Sequence, residues 1–284
     1  MQISLNTSKW WQNAWAAMIF FTRLPFWRLY QPPKETYKAV VEYWPMVGWL
    51  TGGIMACTIY FGSYVLPHNI AIIAAILIRI LITGALHEDG LTDFIDGFGG
   101  GGSDRQRILD IMKDSRIGTY GVLGIIFYLL ILFFTLSSIP VPLAAVTVFA
   151  ADPYAKMIAA QIIEMMPYAR TEAESKAKNI YRKFNIGAGI SLAIQGMLPL
   201  GMFFFYTKGI IDWHLVVFIP CIVMYFMYML IWKRIKGYTG DCCGALFLVV
   251  ELSVYLTVAI LWFHLMRSTD SDTNQIIYNL FYKN

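Results

Sequence analysis

Seven apolar runs, each near the length of a bilayer crossing, constrain this 284-residue chain more than any other feature. They lie near residues 44–66, 69–86, 119–138, 140–166, 187–206, 213–232 and 244–266. A helix needs about 20 largely apolar residues to cross the hydrocarbon core. With 58% hydrophobic and only 14% charged residues, the chain has too little polar surface to cover a water-soluble fold of this size. The expected architecture is all-α, a polytopic transmembrane helical bundle of about seven spans, with residues 1–284 as one integral membrane domain in a lipid bilayer. A secreted disulfide scaffold, a disordered regulator and a conventional soluble enzyme are excluded. Cys57 and Cys221 sit in apolar runs and Cys242-Cys243 are adjacent, so neither a disulfide nor a zinc site is expected.

The N-terminal segment Trp10 to Pro25 is short and aromatic, which fits an interfacial or re-entrant helix better than a span. Asp152-Pro153 predicts a kinked or broken helix in the fourth run, where Asp152 and Lys156, four residues apart, satisfy each other. Sixteen of the 22 Lys and Arg residues fall in 23–43, 87–118, 167–186 and 233–243, and three in the opposite set, Lys208, Arg267 and Lys283. By the positive-inside rule the basic set is cytoplasmic. Its basic residues are scattered among loops and the net charge is only +4, so no nucleic-acid partner is expected; homo-oligomerisation is left open.

Segment 87–118 reads as a cytoplasmic, acidic, glycine-rich active-site loop, holding seven of the 18 acidic residues. Asp89, Asp93 and Asp96 are spaced i, i+4, i+7, so a helix would stack their carboxylates on one face. Like charges so placed repel unless a cation sits between them, and hard oxygen ligands suit Mg²⁺. Gly97 and the run Gly99 to Gly102 allow close backbone approach to an anion. His87, beside the carboxylates, is a candidate general base or metal ligand. Lys113 and Arg116, with Asp114 and Ser115 between them, suit a phosphate clamp. Arg170 follows Pro167-Tyr-Ala on the same face, and Asp241 lies in the turn that opens the last span. Glu251, two helical turns inside that span, is an intramembrane carboxylate and therefore a functional candidate. The residues alone describe a polytopic enzyme with a Mg²⁺ site that acts on a diphosphate-bearing substrate.

The motifs His87-Glu-Asp-Gly-Leu-Thr-Asp-Phe-Ile-Asp-Gly97, Met112-Lys-Asp-Ser-Arg-Ile-Gly-Thr-Tyr-Gly121, Pro167-Tyr-Ala-Arg170 and Thr239-Gly-Asp-Cys-Cys-Gly-Ala245 resemble the signatures of the cobalamin-5′-phosphate synthase family, also called adenosylcobinamide-GDP ribazoletransferases. Phe21-Thr-Arg-Leu-Pro25 resembles the family's N-terminal motif. The resemblance implies a Mg²⁺-dependent enzyme of the bacterial cytoplasmic (inner) membrane. It would join adenosylcobinamide-GDP to α-ribazole or its 5′-phosphate, releasing GMP. It implies that Asp89, Asp93 and Asp96 hold the metal, and that His87 or an aspartate takes the proton of the attacking ribazole 5′-hydroxyl. Lys113, Arg116 and Arg170 would neutralise the leaving group, with Arg23, Gly97, Gly100, Asp114, Ser115, Asp241 and Glu251 completing the substrate site.

Rival readings fit less well. A CDP-alcohol phosphotransferase expects Ala-Arg where Gly99-Gly100 stand, and an aromatic prenyltransferase expects a second aspartate-rich loop. A cation transporter using Arg79, Asp152 and Glu251 would ordinarily show internal repeats and a midplane site.

Overall fold

The computed structural model describes residues 9–170, 181–268 and 281. Lys176, Lys178 and Lys283, counted in the charge asymmetry, lie outside the described residues. All seven apolar runs are helical. They form α2 (Trp44–Gly62), α3 (His68–Thr83), α6 (Thr119–Ser137), α7 (Val141–Ala160) with its short continuation α8 (Ile162–Met165), α9 (Ile186–Thr207), α10 (Trp213–Ile235) and α11 (Gly240–Ser268). The chain also has α1 (Trp10–Phe21), α4 (Leu86–Gly100) and α5 (Arg105–Lys113). The all-α polytopic bundle is therefore the observed fold, and the chain is a multi-pass membrane protein.

Among the described residues, five helical stretches (α6, α7 with α8, α9, α10 and α11) are long and apolar enough to cross a membrane unaided, and a bent pair, α3 with α4, makes a sixth if it is one broken span rather than a re-entrant loop. α3 has only 16 residues, about 24 Å of rise, and α4 leaves it at 89°. α2 has 19 residues but is not among the five, because glycines, tryptophans and Thr51 dilute its hydropathy. Those glycines serve packing: a Cβ on Gly48 would sit 2.7 Å from Asp152 Oδ1, and one on Gly52 3.0 Å from Asp152 Cβ. α2 thus lies against α7 with near backbone contact. At 12 residues, α1 is too short to cross, as its composition suggested.

α7 is the central helix: 83% of its most apolar window is buried, against 22% for α10 and 28% for α6, which face lipid. It runs through Asp152-Pro153 to Ala160, and the interruption falls at Gln161 rather than at the proline. Two buried ionic groups tie the interior together. Asp152 pairs with Lys156 one turn on, as the spacing predicts, and both engage Thr51 of α2, at 2.7 Å and 3.0 Å. Arg79 Nη1 donates to both Glu251 oxygens at 2.7 and 2.6 Å, and Tyr128 and Tyr255 hydroxyls complete the cluster.

The polar segment 87–118 is not a loop. It forms α4 and α5, joined and followed by short turns. Burial overrides its polarity: Leu91 and Phe94 of α4 and Ile108, Leu109 and Met112 of α5 are core residues. α4 begins where Gly84 and Ala85 both adopt left-handed φ, at 65° and 56°, which turns the chain sharply out of α3.

Candidate active site at the α4–α11 crossing

α4 and α11 cross with little between them. A Cβ on Gly90 would lie 3.1 Å from the Asp241 carbonyl, and one on Gly244 3.2 Å from the His87 carbonyl. Gly90 and Gly244 therefore set the helix separation, and His87 with Asp89 is brought beside Asp241 and Cys243. A third wall comes from the chain after α8. Tyr168 bridges to Tyr238 through the Ala169 N–H to the Tyr238 carbonyl (2.8 Å) and the Tyr238 N–H to the Pro167 carbonyl (3.0 Å). This short ladder delivers Arg170, whose Nη1 lies 4.0 Å from Asp241 Oδ2. Arg105 of α5 anchors the same corner by donating to the carbonyls of Ile235 and Ala169, each at 2.8 Å.

The walls enclose a cavity of about 120 Å³ that gathers His87, Asp89, Arg170 and Asp241. Its inner side is aromatic: Phe21, Trp44 and His87 stack nearly parallel, with ring centroids 5.2 to 6.3 Å apart. Arg170 and Tyr168 also line an adjoining depression of about 310 Å³ with Arg105 and Lys113. An aromatic cavity thus opens beside a basic trough, with Arg170 in both.

The other candidates lie elsewhere. Asp96 turns toward α6, its Oδ2 accepting the Gly118 N–H at 2.7 Å and its Oδ1 the Gly121 N–H at 2.8 Å. It acts as a cap on the positive end of that helix. Gly97 and Gly100 lie within α4, where the helical ladder takes their amides; Gly97 admits α5, since a Cβ there would lie 3.1 Å from the Ile108 carbonyl. They do not form an open anion cradle. Asp114 and Arg116 pair with each other at 2.7 Å on the exposed turn after α5, where Ser115 is also exposed. That pair holds the Asp114 carboxyl at about 2 and raises the Arg116 guanidinium further. Arg23 is exposed beside the α3–α4 turn, its backbone N–H donating to the Ile82 carbonyl at 2.6 Å. Glu251 is fully buried and committed to Arg79 and Tyr255, away from the cavity.

The metal assignment can be tested on the carboxylates themselves. Asp89 and Asp96 are about 10 Å apart along the α4 axis, at 1.5 Å per residue. Mg²⁺ binds oxygen at about 2.1 Å, so one ion reaches carboxylates one turn apart but not across two turns. Among the described residues no three His, Cys, Asp or Glu side chains converge into a metal-holding group. Sequence spacing alone thus allows Asp89 and Asp93, one turn apart, to share an ion, and rules out a single ion shared by all three carboxylates.

Trp44, Phe21, Tyr168 and Cys243 of the cavity were missed by residue chemistry alone. Three of them sit inside or at the edge of the motifs quoted above, where apolar neighbours of charged positions are the available signal. Trp44 carries no such signal; neither does Arg105 in the trough.

A model of the cobalamin-5-phosphate synthase family matches residues 13–259, a stretch that includes every wall of this cavity. The chain belongs to that family. A curated relative from Leptospira interrogans, named adenosylcobinamide-GDP ribazoletransferase, is 33% identical over 256 residues, covering 89% of this chain and 96% of the relative. Relatives of the same name from Shewanella amazonensis and Vibrio parahaemolyticus are each 35% identical, over 87% and 85% of this chain and 94% and 89% of theirs. No solved structure matches the chain. In this family member the matched motifs converge on the cavity at His87, Asp89, Arg170 and Asp241, and diverge at Asp96, Arg116 and Glu251.

Proposed function

We propose that the protein is an adenosylcobinamide-GDP ribazoletransferase acting in assembly of the cobalamin nucleotide loop. Its substrates on this reading are adenosylcobinamide-GDP and α-ribazole or its 5′-phosphate. The observation that carries the reading is the aromatic cavity opening beside a basic trough, with Arg170 lining both and Asp89 in the cavity wall.

A ribose hydroxyl oxygen forms a bond to the phosphorus nearer cobinamide. The bond from that phosphorus to the bridging oxygen breaks, and GMP leaves with that oxygen. The attacking hydroxyl is not the 5′ one, since the 5′-phosphate form of the acceptor has that position occupied. His87, in the cavity wall, is the proton acceptor we assign. Arg170 and Lys113 neutralise charge building on the departing phosphate. Asp89 and Asp93 are the carboxylates that would hold Mg²⁺. When bound, the metal supplies Lewis-acid polarisation of the diphosphate oxygens. Asp96 supports α6 against α4 and acts on the site through that contact.

We further infer that the protein lies in the bacterial inner membrane with the cavity facing the cytoplasm. The support is the charge asymmetry together with the clustering of Arg105, Lys113 and Arg170 at one end of the bundle. The test of the metal role is Asp93→Asn in native membranes. Loss of more than about tenfold in GMP release, eased by higher Mg²⁺, is expected on this account. Full activity with an unchanged Mg²⁺ requirement would contradict it.

A further inference from the structure

The cavity carries two buried polar atoms that no group among the described residues satisfies: His87 Nε2 and the Trp44 indole Nε1, both on side chains that line it. Trp44 is 2% exposed and His87 3%, so neither nitrogen is served by bulk water. Buried donors without acceptors are rare in folded proteins. The same two rings stack nearly parallel with Phe21, with interplanar angles of 13° to 23°. Val41 and Phe20 extend the apolar surface. Of the charged members, Arg170 and Asp241 lie 4.0 Å apart and compensate each other, and Asp89 is the third.

Size narrows the occupant. The cavity holds about 120 Å³, somewhat less than the roughly 150 Å³ cavity that accepts a benzene ring, which is room for one flat ring with the rest of the molecule at the mouth. A corrin ring is excluded, whereas a flat base can stack on the wall in the offset geometry aromatic pairs prefer. Three bases are present in the substrates of the reading above: the adenine of the adenosyl group, the guanine of GDP and the benzimidazole of ribazole. Adenine and guanine each carry donor groups and several acceptors on their edges, more than one indole donor and one imidazole nitrogen can pair. The benzimidazole of ribazole is largely apolar and, once joined to ribose, keeps one free ring nitrogen, an acceptor. One orphaned indole donor meets one acceptor.

We propose that this cavity is the base pocket for ribazole: the benzimidazole stacks on Phe21, Trp44 and His87, and Trp44 Nε1–H donates to its free nitrogen. The ribose then lies toward Asp89, and His87 Nε2 is free to accept from a ribose hydroxyl. The assignment rests on the ribazole-transfer reading and names the subsite that reading requires. Specificity for an apolar base would thus be set by α1, α2 and α4 rather than by the basic trough.

The experiment uses full-length protein in nanodiscs and follows equilibrium binding of α-ribazole alone, by its benzimidazole fluorescence. Trp44→Phe keeps the stack and removes the donor; Cys243→Leu fills the cavity from α11. Trp44→Phe is expected to weaken α-ribazole binding about tenfold and raise its KM alike, while KM for adenosylcobinamide-GDP stays within about twofold. Cys243→Leu is expected to abolish α-ribazole binding. Retained adenosylcobinamide-GDP binding reports an intact fold in both variants. The proposal is overturned if neither variant affects α-ribazole binding, or if KM for adenosylcobinamide-GDP rises instead, which would put its guanine or its adenine in the cavity. Wild-type protein that binds α-ribazole through Trp44 yet releases no GMP would refute ribazole transfer while upholding the pocket.

Discussion

Asp96 Oδ1 accepts the Gly121 N–H at 2.8 Å, fastening the last turns of α4 to the first turn of α6. Its other oxygen takes the Gly118 N–H, so one carboxylate satisfies two amides that a helix start leaves unpaired. A Cβ on either glycine would collide with that carboxylate, which explains why both amide donors come from glycine. Asp96→Asn is expected to lower stability by about 1–2 kcal/mol, the usual worth of a charged helix cap. Asp89→Asn on the same face is expected to leave stability unchanged and reduce activity. Thermal unfolding in detergent, read beside GMP release, separates the two roles; equal melting temperatures would contradict the capping assignment.

The Arg79–Glu251 pair links α3 to α11 in the bundle interior, with 3% and 0% of the two side chains exposed. Removing one partner strands a buried charge. Arg79→Met is therefore expected to cost about 3–5 kcal/mol, whereas Arg79→Met with Glu251→Leu recovers most of that loss. The double-mutant comparison by thermal unfolding checks it. Two losses that simply add would show that the charges do not depend on each other.

Gly90 and Gly244 hold α4 and α11 at near backbone contact, so added volume there must spread the crossing that shapes the cavity. Gly244→Val is expected to destabilise by about 1–3 kcal/mol through overpacking. It is also expected to cut turnover far more than Gly201→Ala, at a position where an added Cβ meets nothing within 4 Å. Similar activities in the two variants would contradict this reading of the crossing.

The Asp114 carboxyl is held at about 2, below its ordinary 3.8, first by the Arg116 side-chain hydrogen bond. A depressed carboxyl contributes fully above its ordinary value, and the contribution is lost only as pH falls through the depressed one. The pair therefore stays charged across about pH 5 to 9. Asp114→Asn is expected to leave the shape of the pH–rate profile unchanged. A displaced acidic limb would show that Asp114 titrates during catalysis.

Much of this organisation is legible in the residue order, for local reasons. Apolar runs become helices because a bilayer admits little else, and Asp152 pairs with Lys156 because one turn brings them together. What was illegible is long-range. Arg79 and Glu251 are 172 residues apart, and no spacing rule couples them. The 87–118 segment looks like a loop because its glycines and acids have poor helix propensity, yet α4 folds where Leu91 and Phe94 are buried. The i, i+4, i+7 aspartates do share a helix, but α6 claims Asp96, a competition visible only once the helices are packed. Trp44 enters the cavity because α2 brings it beside His87, with ring centroids 5.8 Å apart.

The central claim is that this membrane bundle carries out ribazole transfer. The direct measurement incubates the purified full-length protein in nanodiscs with adenosylcobinamide-GDP, α-ribazole and Mg²⁺, and quantifies GMP and adenosylcobalamin. The account predicts that both appear in equal amounts and only when α-ribazole is present. No GMP above the control without α-ribazole, or GMP released without adenosylcobalamin, would contradict it.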